Sequence, residues 1–254
     1  MATAPPCPVR VDAEGFLEPD GVRGRRWADA VYDWTCEACP HADMELVGVR
    51  VSNWGGYRLF QQALGSVGRH RLPALLRTLP NANGGITSAE DAGHCLAELD
   101  VFDAEYEGEQ TVLVDVRAQV ELQEYIEGYE GLFVLSGSTG LYLGFGPRGF
   151  YVLQGEDRRE VFRAMHVRQT RLNSGDGSAE RFEYLDLDTG TRFVASLGIP
   201  GLSRQIGDEW VSDFPAEVCV ESRTRTAEHF APIIEALRTV YRASVETSNP
   251  VQWC

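Results

Sequence analysis

From residue 110 onward the apolar residues recur at every second position, in short runs broken by glycine, asparagine and aspartate. The runs are TVLVDV (111–116), LFVLSG (132–137), LYLGFG (141–146), FYVLQ (150–154), EVFRAMHVRQTRL (160–172), RFEYLDL (181–187) and TRFVASL (191–197). Successive side chains of a strand point to opposite faces, so a period of two, rich in β-branched and aromatic residues, reads as half-buried strands. The connections fall short of the dozen or so residues that a parallel crossover needs, so consecutive strands must be antiparallel. Asp188-Thr189-Gly190 has the length and the glycine of a tight hairpin loop. AEVCVES (216–222) adds a strand, for an antiparallel meander of about seven or eight.

Before residue 110 the period is helical. Asn53 is placed to cap a helix through residues 55–67, where Tyr57, Phe60, Leu64 and Val67 share a face. LPALLRTL (72–79) predicts a second, short helix with Pro73 in its first turn, where a missing N–H costs nothing. Thr87 and Glu90 have capping-box spacing ahead of a third helix, with Ala92, Cys95, Leu96, Leu99 and Phe102 as its apolar stripe. RRWADAVYDWT (25–35) predicts a further short helix and MELVGVRV (44–51) a strand. At the far end Thr226 is expected to cap an amphipathic helix bearing Phe230, Ile233, Ile234, Leu237, Val240 and Tyr241 on one side, unless Pro232 marks its first turn.

These elements predict an α+β fold: a helix-rich N-terminal third, an antiparallel meander, and a C-terminal amphipathic helix packed on the sheet. Residues 1–20, rich in proline and glycine, read as an extended N-terminal arm; 21–254 read as a single domain, helical over about 21–105, with meander and closing helix over about 110–247.

The chain has 254 residues, 43% of them hydrophobic, enough for a packed core. It contains no run near the roughly 18 apolar residues of a membrane span, and its first residues show no basic-then-apolar leader. The expectation is a cytoplasmic protein with reduced thiols, since six cysteines are too few for a disulfide scaffold at this length. All 23 basic residues are arginine, and the net charge is −15. A field of that sign repels phosphate backbones and anionic lipid, which argues against nucleic acid and membrane as partners.

Residues 100–130 hold ten acidic residues against one arginine, Arg117. The plainer reading of such a run is a solvated face. The sharper one is a docking surface for a cationic protein, because complementary potential speeds encounter and tyrosines favour interfaces. Its expected members are Asp103, Glu105, Tyr106, Glu107, Glu121, Glu124, Tyr125, Glu127 and Tyr129.

Cys36, Cys39 and His41 have the spacing of half a zinc site, but tetrahedral closure needs a fourth ligand from a distance. The pair follows a predicted helix and precedes a strand, the reverse of the arrangement that lowers a thiol pKa at a helix N-terminus. A zinc deaminase would need His-x-Glu upstream, which is missing. His94 and Cys95 are adjacent on a helix and point about 100° apart, so they do not form a nucleophilic pair. Arg163, His166 and Arg168 on one strand run could contact an anion. The glycines of residues 137–149 do not make a phosphate loop: there is no lysine, and strands follow. DLDTG (186–190) lacks the closing glutamate of a calcium loop.

The function expected from these residues is that of an acidic binding protein that engages a basic protein partner without a cofactor. Neutralising a toxin, as bacterial immunity proteins do, is one concrete form. The competing expectations are a zinc- or thiol-dependent enzyme built on Cys36, Cys39 and His41, and a small-molecule sensor built on Arg163, His166 and Arg168.

Overall fold

The computed structural model describes residues 9–11, 17–19, 48–82, 84–136, 139–172, 180–206 and 209–253. The predicted helix over 25–35 and the Cys36/Cys39/His41 cluster lie outside the described residues. Of the strand predicted over 44–51 only residues 48–51 are described, and they carry no regular structure. Within the predicted arm, β1 (Val9–Val11) and β2 (Leu17–Pro19) pair antiparallel. The fold class is α+β, and the chain divides into two compact units, Met1–Tyr106 with Ala227–Cys254, and Glu107–Thr226.

The first unit is built on helices α1 (Trp54–Val67), α2 (Pro73–Thr78), α3 (Ala89–Glu105) and α4 (Ala231–Thr247). Asn53 starts α1 as its sequence predicts: the side-chain oxygen accepts from the Gly56 amide at 2.8 Å. The capping box of α3 sits one residue later than Thr87 and Glu90. Ser88 accepts from the Asp91 amide at 3.0 Å, and its hydroxyl donates to the Asp91 carboxylate at 2.9 Å. Thr87 is withdrawn from that role by β3 (Ile86–Thr87), which pairs with β16 (Val251–Gln252), and by the Trp253 indole N–H, which donates to its hydroxyl at 2.9 Å. Thr226 does not cap α4 either. It ends a strand, a 3₁₀ turn covers Ala227–Phe230, and Pro232 lies in the first turn of α4. Phe60, Phe102 and Phe230 meet at 5.3–6.1 Å between ring centres, and Leu64, Leu99 and Leu237 are buried with them. Each such side chain contributes about 1.5–3 kcal/mol by leaving water. The closing helix lies along α3 and meets the small β3–β16 sheet through Tyr241 and Trp253, 6.3 Å apart. Among the described residues no helix is long and apolar enough to cross a membrane.

The second unit is all antiparallel β, with twelve described strands rather than about eight. β4 (Glu107–Asp115) and β5 (Val120–Glu124) form a hairpin; β6 (Leu132–Ser136), β7 (Leu141–Gly146), β8 (Gly149–Gln154) and β9 (Arg159–Ala164) form a four-stranded sheet in that order. β10 (His166–Leu172), β11 (Arg181–Asp186) and β12 (Arg192–Ala195) follow, then the small hairpin β13 (Ser203–Ile206) and β14 (Glu209–Ser212). The long β15 (Glu217–Thr226) then inserts between β10 and β4, giving a six-stranded sheet in the order β12-β11-β10-β15-β4-β5. Inward residues of both sheets, among them Leu113, Leu143, Phe150, Phe162, Tyr184 and Val218, make one core. The buried Gln169 side chain is fully met. The Gln169 amide donates to the carbonyls of Ile199 (3.1 Å) and Pro215 (2.9 Å) and accepts from the Ile199 amide (2.6 Å).

Candidate partner-binding surface

The acidic run is divided between the two units. Asp100, Asp103 and Glu105 occupy the last turns of α3, where negative charge opposes the helix dipole and needs a counter-ion. Arg238 on α4 supplies it, reaching Asp100 at 2.8 Å, Asp103 at 3.0 Å and Glu235 at 2.9 Å. Burial alone would lower the pKa of this guanidinium, yet the three carboxylates hold it above its ordinary value. Glu105 bonds to Arg71. Tyr106 is buried and stacked on Phe102 at 4.7 Å, so it belongs to the core and not to a contact surface.

Glu121 and Glu124 lie on the edge strand β5, with β4 between them and β15. Arg223 and Arg225 reach across from β15: Arg223 to Glu121 (2.5 Å) and Glu221 (2.6 Å), Arg225 to Glu124 (3.2 Å) and also to Glu121. Burial would raise the Glu121 carboxyl, but the two guanidinium groups outweigh it and hold the group below its ordinary value. Glu109 accepts hydrogen bonds from Ser222 and Thr224, which lower its pKa. Asp115 closes the β4–β5 turn through the amides of Arg117 and Ala118. Glu107 is exposed at the start of β4.

The remaining candidates share one turn. A 3₁₀ turn spans Glu127–Tyr129, Glu130 follows in the left-handed region (φ 54°), and Gly131 follows at φ 72°. The Ile126 carbonyl accepts from the Tyr129 amide at 3.1 Å and from the Gly131 amide at 3.2 Å. The turn is anchored from behind: the Phe145 amide donates to the Gly131 carbonyl at 3.1 Å, and the Tyr151 hydroxyl donates to the Glu130 carbonyl. A Cβ on Gly131 would lie 1.8 Å from the Phe145 carbonyl oxygen, so no other residue fits. Tyr125 packs edge-on against Phe145 at 6.3 Å; burial first, then the charges of Glu127 and Glu130, raise its pKa. Glu127, Tyr129 and Glu130 are all exposed, Tyr129 at 44%, and Glu130 forms an ion pair with Arg158 at 3.9 Å. Glu130 was no part of the expected set. Its signal is the Glu-Gly pair at 130–131, where a left-handed residue leads into an obligatory glycine.

Arg163, His166 and Arg168 each have a carboxylate of their own. Arg163 donates to Glu160 at 2.8 Å and lies over the Tyr151 ring at 4.9 Å; His166 faces Asp188 at 3.3 Å; Arg168 faces Glu217 at 3.4 Å. The described cysteines are Cys95, buried in α3, and Cys219 on β15; burial pushes both thiols up, which keeps them protonated near neutrality. His94 is exposed while Cys95 is buried, so the two point apart as their spacing predicts. Among the described residues no three His, Cys, Asp or Glu side chains are grouped to hold a metal ion.

Comparison with protein-family models, with curated proteins and with solved structures gives no match to this chain. The site's own geometry therefore carries the functional argument.

Proposed function

We propose that this chain is a binding protein whose second unit engages a basic protein partner through the turn Tyr125–Gly131. The observation that supports this reading is the anchored turn in which Glu127, Tyr129 and Glu130 are all exposed to solvent within four residues. An exposed tyrosine between carboxylates offers a rigid aromatic surface with charge at its rim, the composition that interfaces favour. The net charge of −15 would draw a cationic partner inward from beyond contact distance. Inhibition of a basic toxin or regulation of a basic enzyme are both forms of this activity.

The test is a titration of the full chain with a flexible arginine–glycine peptide at rising ionic strength. Affinity is expected to fall steeply with salt, and Glu127→Gln/Glu130→Gln should weaken binding about fivefold or more. The control Glu228→Gln/Glu246→Gln removes the same charge from exposed positions of the first unit and should leave affinity within about twofold. A flat salt dependence, or equal losses in the two variants, overturns the reading.

A further inference from the structure

The two larger sheets of the second unit end in four edge strands: β5 and β12 on one, β6 and β9 on the other. Edge strands expose unpaired backbone N–H and C=O groups, and natural proteins guard them with charge. β5 carries Glu121 and Glu124, β12 carries Arg192, and β9 carries Arg159, Glu160 and Arg163. β6, with the sequence LFVLS, carries no charge. Among the described residues its only strand neighbour is β7. Phe133 turns inward onto Phe145 (5.8 Å) and Phe150 (6.4 Å), while Leu135 is 66% exposed, more than any other large apolar side chain described.

Among the described residues this uncharged edge, irregular in register between Leu132 and Val134, begins one residue after the acidic turn, since Gly131 alone separates Glu130 from Leu132. We propose that β6 is a strand-addition site: an extended segment of a basic partner pairs antiparallel or parallel with Leu132–Ser136, an apolar side chain covers Leu135, and its arginines or lysines meet Glu127 and Glu130. Main-chain hydrogen bonds supply the affinity in such a mode, and the flanking side chains supply the choice of partner. A second copy of this chain would bring another charge of −15 to the same edge, so charge complementarity selects a cationic segment. The inference rests on the acidic-turn reading and goes further by naming the mode of contact.

The probes are two peptides of about nine residues, alternating arginine and valine, one of them N-methylated at every internal residue so that neither of its edges can extend a sheet. Both carry the same charge. The full chain should bind the unmethylated peptide about tenfold more tightly or better. Hydrogen exchange should slow at the Leu132–Ser136 amides and not along β9 or β12. If the two peptides bind equally and both are salt-sensitive, strand addition is wrong while the acidic turn stands as an electrostatic site. If neither binds even at low salt, both readings fall. If the chain alone dimerises with protection confined to β6, the occupant is a second copy and the proposal is overturned.

Discussion

Two residues show how single atoms hold local structure here. Helix α2 has six residues and no side-chain cap of its own, because Leu72 occupies the N-cap position. Glu98, buried on α3, provides the cap from another helix: its two carboxylate oxygens accept from the amides of Ala74 and Leu75, each at 2.8 Å. Glu98→Ala leaves both donors buried without a partner and should cost about 2–4 kcal/mol, measured by urea unfolding. Glu98→Gln keeps one accepting oxygen and should cost about half as much. A loss below about 1 kcal/mol for Glu98→Ala would mean that water replaces the carboxylate. Gly131 is the second case. Its positive φ and the Phe145 carbonyl behind it forbid any Cβ, so Gly131→Ala should destabilise the chain by about 3 kcal/mol or more. Because the same glycine sets the aim of Glu130, the variant should also weaken the basic peptide at temperatures where it remains folded.

Elements made of local signals were legible in the sequence, and those made by distant partners were not. Asn53 and Pro73 each act within one turn of their own helix, and the Asp188-Thr189-Gly190 hairpin closes on itself through Asp186 and Gly190 at φ 77°. Of the two starts the sequence offered for α4, Pro232 and not Thr226 lies in its first turn, because β15 extends to Thr226 by pairing with β4, a contact between residues 107 and 226 that no local window contains. The pairing within the acidic run was illegible for the same reason. Only Arg117 lies within it, yet its counter-ions are Arg71, Arg158, Arg223, Arg225 and Arg238, all from outside the run. The Glu127–Glu130 turn was partly legible, because its exposure follows from local turn chemistry. The β5–β15 network also makes a pH prediction. Glu121 is held below its ordinary value of 4.5, so the folded chain takes up this proton at lower pH than the unfolded chain does. Its contribution is complete above that ordinary value and is lost as pH falls through the depressed one. Glu160, lowered by its bond to Arg163, acts in the same direction. Glu121→Gln should therefore reduce stability near pH 7 and flatten the acid limb below about pH 4.5, followed by denaturant unfolding across pH. An acid limb of unchanged slope would show that the two guanidinium groups do not bias this carboxyl.

At the scale of the whole molecule, the question is whether ion pairs or self-repulsion dominate its electrostatics. The pairs are numerous but unbalanced. Arg238 serves three carboxylates, a cluster of net charge −2, and Arg223 with Arg225 serve Glu121, Glu124 and Glu221, a cluster of net charge −1. Local neutralisation therefore leaves the excess of 38 acidic over 23 basic residues standing, spread as a long-range field. Salt treats the two contributions differently. The Debye length is about 10 Å at 0.1 M, several times the separation within these pairs, and exposed charges farther apart than that are largely screened. Added salt thus screens the repulsion more completely than it weakens the contacts. Exposed pairs of this kind contribute only about 0–1 kcal/mol each, so their partial loss is small. The melting temperature of the full chain should rise by a few degrees, roughly 2–5 °C, between about 0.02 M and 0.5 M sodium chloride, read by calorimetry. Salt should at the same time weaken any cationic partner. Opposite signs for folding and for binding in one titration are the signature of an acid excess that destabilises the isolated chain and is relieved on association. A melting temperature that falls with salt would instead assign the dominant role to the arginine pairs, and would remove the energetic reason for this chain to seek positive charge.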